Sequence, residues 1–511
     1  LSEKTAGGSG PRTLRVPFNR VEGDLDIRVE IKDGQVSEAW VSGTMFRGFE
    51  TMMIGRGPLD GLVITPRICG ICSTSHLHAA ALALDRLSAA EVPGNATRLR
   101  NVTQMAEHLQ SDMRHLFLMF AVDFTDSSYQ NRKFYSRAGE RYTPFKGSTL
   151  IEVVRQTRRI LEIVAIIGGQ WPHSSFMVPG GIVSLPSASD LRQCRILVAQ
   201  FRQWFEKQVL GGDLQLWQQV TSADALEAWC REETRHQAEL PLLLAINQEL
   251  GLDRSGAGHG CYLSYGSLPL PADERDGHLF AAGFWQQGVL GPFNQKHITE
   301  DVTNSWFAAS NIGAPLLSAP LPLMDKPGGA YSWVKAPRYQ LSPAETGPLG
   351  ELLIAGNPLL SDWINRRGES VFVRELSRVV RCAELLPTME RWLQEAADGG
   401  RFYLEPAVIT TGSGFGLTQA SRGALGHWLR VIDGQIAHYQ IISPTSWNAS
   451  PRDSRGVHGP LEQALLGTQV TDPQHPVELG HIVRSFDPCL VCAVHTYHQG
   501  EKRSRLRIGL A

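Results

Sequence analysis

The sequence predicts a mainly helical α+β chain, with long central helices flanked by small peripheral β-sheets and hairpins. Three observations predict it. Apolar residues recur at steps of three and four through the middle of the chain. Apolar–polar alternation broken by an Asp-Gly pair occurs near both ends. The connectors are rich in Gly and Pro, without internal repeats or low complexity. With 42% apolar and 20% charged residues in 511, the composition is that of a globular chain able to bury a large core.

The elements follow in order. LSEKTAGGSGPRT lacks the apolar stretch of a secretion signal and reads as a loose tail, placed at residues 1–12. Residues 25–41 form a hairpin: LDIRVEI alternates, Asp33-Gly34 turns, and VSEAWV returns. Leu99, Val102, Ala106, Leu109, Met113 and Leu116 mark one apolar face of a helix. Thr149 to Ile167 and Asp190 to Leu210 repeat that pattern, the second closed by Gly211-Gly212. Residues 177–187, 253–272 and 313–350 read as connectors. Residues 369–397 form a further helical stretch, kinked at Pro387 and closed by Gly399-Gly400. WLRVIDGQIAHYQII is a second hairpin, turning at Asp433-Gly434.

Charge and hydropathy exclude some functions. With 49 basic and 51 acidic side chains the net charge is −2, which argues against a generally basic nucleic-acid binder. No apolar run reaches the roughly 18 residues needed to span a bilayer. A cytoplasmic location is expected, with any membrane association made through partner subunits.

Eight cysteines are too few for a disulfide scaffold of this size. Cys194, Cys230, Cys261 and Cys382 stand alone and read as small buried apolar residues. The other four form two C-x-x-C pairs, Cys69/Cys72 and Cys489/Cys492, separated by 416 residues. That spacing alone leaves three readings open: a structural zinc site, a redox-active metal, or a dithiol. If one ion takes both pairs, the chain ends must meet. Residues 13–495 are then a single interwoven unit, with 496–511 as an extension.

The residues around the pairs are more specific. Arg67-Ile68-Cys69-Gly70-Ile71-Cys72 is followed by His76, and Asp487-Pro488-Cys489-Leu490-Val491-Cys492 by His495. Between and before them lie Arg20-Val21-Glu22-Gly23, Arg47-Gly48-Phe49-Glu50, Pro172-His173, Pro179-Gly180-Gly181, Lys335-Ala336-Pro337-Arg338-Tyr339, Arg422-Gly423-Ala424-Leu425-Gly426-His427-Trp428 and Pro444-Thr445-Ser446-Trp447-Asn448. In this order and over nearly the whole chain, the sequence resembles the large, catalytic subunits of nickel–iron hydrogenases.

The resemblance implies a fold, an activity and a set of roles. The activity is reversible heterolytic oxidation of dihydrogen, a very weak acid whose cleavage needs a metal and a base. Soft thiolates suit nickel and low-spin iron. By resemblance Cys69, Cys72, Cys489 and Cys492 bind nickel, and Cys72 and Cys492 bridge to an iron that carries carbonyl and cyanide ligands. Cys489 is the implied proton acceptor and Glu22 the relay. Arg422 overhangs the metals, either orienting the gas or acting as an unusual base, and Asp487 pairs with it. His76 hydrogen-bonds a bridging thiolate. Glu50, the Ile441 carbonyl and His495 form a magnesium or iron site. The resemblance further implies an iron–sulfur small subunit as electron acceptor, nickel-insertion chaperones, and an endopeptidase that removes 496–511 after metal insertion.

Two departures stand out: Ser421 replaces the usual proline before the arginine, and Ser111 replaces an aspartate, with Asp112 one helical step, about 100°, away. Two rival readings remain: a hydrogen-sensing homologue with the same centre, and a non-catalytic subunit, either structural-zinc or complex-one-like, of which the four cysteines disfavour the complex-one-like form.

Overall fold

The computed structural model describes residues 12–274, 276–308, 313–317, 320–326 and 328–493. Three strands open the chain: β1 (Arg12–Phe18), β2 (Leu25–Lys32) and β3 (Gln35–Gly43), antiparallel in the order β1-β2-β3. The predicted turn lies at Asp33 and Gly34, both with positive φ (53° and 80°), as a tight right-twisting hairpin requires. β1 begins at Arg12, the last residue of the expected tail. Arg12 and Thr13 pair with Ile31 and Glu30, because β2 offers an open hydrogen-bonding edge to the alternating segment that follows. Residues 1–11, His495 and the extension 496–511 lie outside the described residues.

A short helix α1 (Phe49–Met53) precedes the helical body. That body comprises α2 (Ser73–Leu87), α3 (Gly94–Arg114), α4 (Ser148–Ile160), α5 (Glu162–Gly168), α6 (Ala188–Trp204) and α7 (Val371–Ala397). The helix expected over 149–167 is thus divided at Leu161. α6 continues through a wider turn, Phe205–Leu210, and ends on left-handed Gly211 as its sequence predicts. Pro387 lies within α7. α7 packs against α3 and α6, and α3 against α4, so these helices form the centre of the molecule.

Small sheets surround the helices. β4 (Cys261–Pro269), β5 (His278–Gln286) and β6 (Val289–Gly291) form one, and β7 (Ile298–Asp301) pairs with β8 (Ala336–Tyr339). β9 (Gly412–Ala420), β10 (Gly423–Ile432) and β11 (Gln435–Ile442) form another, with the predicted turn at Asp433-Gly434. The chain reaches its C-terminal motif through α8 (Val477–Ser485) and α9 (Leu490–Ala493).

The connector assignments at 253–272 and 313–350 are corrected in part, since they contain β4 and β8. β4 is buried on both faces except at its last residue, so it shows no alternation to read. β9 carries three glycines and lies directly against α2, where side chains would not fit.

α3 departs most from its sequence pattern. One apolar face implies an opposite face in water, yet every residue from Asn95 to Met113 is buried. Its polar side chains are taken up by several neighbours: Asp112 by Arg378 and Arg381 of α7, Arg100 by Asp85, Glu107 by Ser75, and Gln104 and His108 by Gln419. Among the described residues, no helix is long and apolar enough to cross a membrane. All eight cysteines are buried and unpaired by disulfides, including the four that stand alone in sequence.

Candidate metal centre

The two ends of the chain meet through the backbone. Glu22 N–H donates to the Pro488 carbonyl (3.1 Å), and Leu490 N–H donates to the Glu22 carbonyl (2.6 Å). Arg47 ties the two cysteine loops together by donating to the carbonyls of Ile68 (2.5 Å) and Val491 (3.3 Å), each directly before a cysteine. Cys489 N–H donates to Thr445 Oγ1 (2.9 Å), which gives the Pro444–Asn448 helix a role at the site. Cys72 is the N-cap of α2, so the second residue of the first pair is fixed by the start of that helix.

The four buried sulfurs therefore converge. Sγ–Sγ distances are 3.7 Å for Cys69–Cys489, 3.3 Å for Cys72–Cys492 and 3.2 Å for Cys489–Cys492. A tetrahedral zinc with bonds of about 2.3 Å would space its sulfurs at about 3.8 Å on every edge. The three edges here are at or below that spacing, so the four sulfurs are close enough to serve one metal centre. The thiols also compete for charge. Hydrogen bonds from Cys489, Cys492 and Cys72 hold Cys69 well below the usual thiol range, the bond with Cys489 pushes Cys72 well above it, and burial does the same to Cys492. A bound cation stabilises several thiolates at once, so the donor set fits nickel together with iron.

Arg422 lies against this cluster. Its Nε is 3.1 Å from the Asp487 carbonyl oxygen and 3.0 Å from Asp487 Oδ1. Burial opposes its charge, but Asp487 and the sulfurs of Cys489, Cys72 and Cys69 raise its pKa well above the ordinary arginine value. Its Nη1 is buried and has no hydrogen-bond partner among the described residues. A buried guanidinium donor left free beside four sulfurs fits a ligand that would complete the site.

Glu22 is half-buried. Burial, and then the Cys69 thiolate, raise its pKa. His76 offers a ring nitrogen within 4.8 Å of the Cys72 and Cys492 sulfurs, while its Nδ1 lies 3.1 Å from His427 Nε2, and His427 Nδ1 lies 3.0 Å from the Tyr439 hydroxyl. Glu50 Oε1 accepts from Ile441 N–H (3.0 Å) and from Lys335 Nζ (3.3 Å), and Lys335 also reaches Glu300 (3.1 Å). Glu50 and Ile441 are thus adjacent; His495, their implied partner, lies outside the described residues.

Sequence reasoning missed the polar layer behind Arg422. Asp487 lies 3.1 Å from His115 Nδ1 and 3.5 Å from Arg378, and with Arg422 these cations hold its carboxyl well below the usual range despite burial. Arg381 donates to both Asp112 oxygens (2.7 and 2.9 Å), to Glu351 (3.0 Å) and to the Ser421 carbonyl (2.6 Å). Asp112 and Asp487 are therefore linked through one shared cation, Arg378. Ser111, by contrast, has a buried hydroxyl without a partner among the described residues. The arginine spacing in VFVRELSRVVRCAELL was the available signal: three cations on one face of an otherwise apolar helix demand buried acids.

The sequence model of the nickel-dependent hydrogenase family matches residues 47–138 and 146–495. The large subunit of the periplasmic [NiFeSe] hydrogenase of Desulfomicrobium baculatum is 34% identical over 94% of each chain. The hydrogenase-2 large chain of Escherichia coli (strain K12) is 28% identical, covering 94% of this chain and 96% of that one. Among solved structures, the H2-activated [NiFeSe] hydrogenase of Dm. baculatum superposes with a TM-score of 0.82 at 31% identity, over 95% of this chain and 100% of that chain. The reduced Ni-Fe-Se hydrogenase of D. vulgaris Hildenborough gives the same TM-score and identity. One relative is named periplasmic, so family membership does not carry the cytoplasmic location expected from sequence. Motifs in order, converging sulfurs and likeness over the whole length lead to one conclusion: the chain belongs to the nickel-dependent hydrogenases as a large subunit, an oxidoreductase acting on dihydrogen.

Proposed function

We propose that Cys69, Cys72, Cys489 and Cys492 hold a nickel–iron centre, with Cys72 and Cys492 shared between the metals and carbonyl and cyanide completing the iron. The observation that carries this reading is the convergence of four buried sulfurs from the two C-x-x-C pairs. When bound, the metal pair supplies the electrophile that makes dihydrogen acidic and accepts its electrons. The chain supplies the rest. A terminal thiolate, Cys489 or its neighbour Cys69, takes the proton. Glu22, its carboxyl pKa raised by burial and by Cys69, receives it and passes it outward. Arg422, held charged by Asp487, directs its unpartnered Nη1 as an orienting donor rather than as a base. His76 steadies a shared thiolate through its link to His427.

Glu50, Ile441 and His495 would hold magnesium or iron, with Lys335 and Glu300 around them. Clusters usually take four cysteines each, and the remaining cysteines here are scattered, so electrons leave to an iron–sulfur small subunit docked near Cys69. The 511-residue form is read as a precursor. Nickel-insertion chaperones load it and an endopeptidase then cuts after His495. Intact mass of the nickel-loaded protein tests this, and a mass that retains residues 496–511 refutes it. The centre itself is tested by metal analysis with infrared spectroscopy: nickel and iron with carbonyl and cyanide bands are expected, and zinc alone refutes it.

A further inference from the structure

The bundle carries an unusual surface at the start of α4. Thr143 closes a tight turn by accepting from Lys146 N–H (3.1 Å) and Gly147 N–H (2.8 Å), which lifts Phe145 to its apex. Phe145 is 94% exposed and takes a positive φ of 64°, rare for an aromatic residue. α4 follows at once. Its inner face, including Leu150, Val153, Thr157 and Ile160, is buried in the bundle. Its outer arc presents Ile151 (57% exposed) and Val154 (46%) interleaved with exposed Arg155 and Arg158. Residues 143–160 hold four basic side chains, Arg159 and Lys146 among them, against one acid, Glu152, which is already paired with Arg155 at 2.7 Å.

The Phe145 turn precedes α4, at the end of that helix farther along the chain from His173. α4 and α5 lead to His173, which meets the first cysteine loop at Ser73 Oγ (3.3 Å) and Pro66 O (2.9 Å). At 1.5 Å per residue, Ser148 lies about 30 Å along that path from Gly168. The surface near Cys69, where the electron-accepting subunit is proposed to dock, is at the other end.

We propose that the Phe145 turn and the outer arc of α4 form a docking surface for an anionic phospholipid bilayer. An apolar tip and two aliphatic side chains insert shallowly while the flanking arginines and Lys146 meet lipid phosphates. Charge complementarity selects this occupant. A nucleic acid would engage the arginines but leave Phe145, Ile151 and Val154 in water. A protein groove would ask for a continuous apolar stripe, which Arg155 and Arg158 interrupt.

The holoenzyme is tested by co-sedimentation with vesicles of phosphatidylcholine alone and of phosphatidylcholine mixed with phosphatidylglycerol. Binding to the anionic vesicles only, weakened by salt, is expected. Arg155→Gln with Arg158→Gln should weaken it roughly 25-fold, at about fivefold per basic residue. Phe145→Ser should weaken it about tenfold or more, with hydrogen uptake unchanged in both variants. Absence of binding to anionic vesicles, equal binding by the variants, or hydrogen exchange showing the 143–158 surface shielded by a subunit or second copy in the holoenzyme would each overturn the proposal.

Discussion

Removing Arg381 should do more damage than its distance from the metals implies. The side chain is fully buried and supports two carboxylates, Asp112 and Glu351, besides the Ser421 carbonyl next to Arg422. Arg381→Met keeps much of the volume but strands buried negative charge. Breaking a buried ion pair by deleting one partner costs about 3–5 kcal/mol. Arg378 still reaches Asp112 at 3.3 Å, which favours the lower half of that range. The partner change Asp112→Leu removes one stranded acid, so the double variant should lose less than the sum of the singles, by about 1–3 kcal/mol. Hydrogen exchange on α3 and α7 amides reads the local opening free energy directly. Hydrogen uptake should fall in parallel, since Ser421 and Asp487 position Arg422. A loss below about 1 kcal/mol for Arg381→Met, or strict additivity in the cycle, refutes the view that these helices are locked by a shared polar layer.

Three further outcomes are expected. Glu22→Gln keeps the shape but removes the base, so turnover should drop about 100-fold or more with nickel and iron content unchanged; unaltered turnover excludes Glu22 from the proton route. Glu107 is buried and its pKa is raised by burial to about 7, from an ordinary 4.5, although it accepts from Thr74 and Ser75. The folded state therefore binds this proton more tightly than the unfolded chain, and the stability so gained is lost as pH rises from about 4.5 to about 7, by roughly 3 kcal/mol. Glu107→Gln removes this one contribution, so the slope of a stability–pH series between about 4.5 and 7 should change by about one proton; an unchanged slope contradicts the assignment. At Gly416 a Cβ would lie 1.9 Å from the Ala79 carbonyl oxygen and 2.6 Å from Ala83 N, both backbone atoms of α2. Gly416→Ala should cost about 1–3 kcal/mol and lower the nickel-to-protein ratio, because α2 begins at Cys72 and carries His76; full nickel loading counts against that coupling.

Local chemistry settled part of this protein from the sequence by itself. Asp33-Gly34 and Asp433-Gly434 announce hairpins because only residues tolerant of positive φ close such turns, and Gly211 ends its helix for the same reason. The candidate metal ligands were legible too, since two C-x-x-C pairs set in the motifs around them point to metal or redox chemistry. What the sequence could not decide is which polar residues face water. Glu107 and Asp112 on α3 and His115 just after it look like an ordinary solvated face, as do Arg374, Arg378 and Arg381 on α7. Only packing turns both inward, where Asp112 meets Arg378 and Arg381, and His115 meets Glu375, about 260 residues away along the chain, while Glu107 and Arg374 find Ser75 and Glu345 on other segments. β4 and β9 escaped for a related reason. A strand buried on both faces has no alternation, and a glycine-rich one shows its purpose only when the helix that needs the space is present. Periodicity reports a residue's neighbours within its own element; burial of charge depends on what a distant element brings to it, and that is fixed by tertiary structure alone.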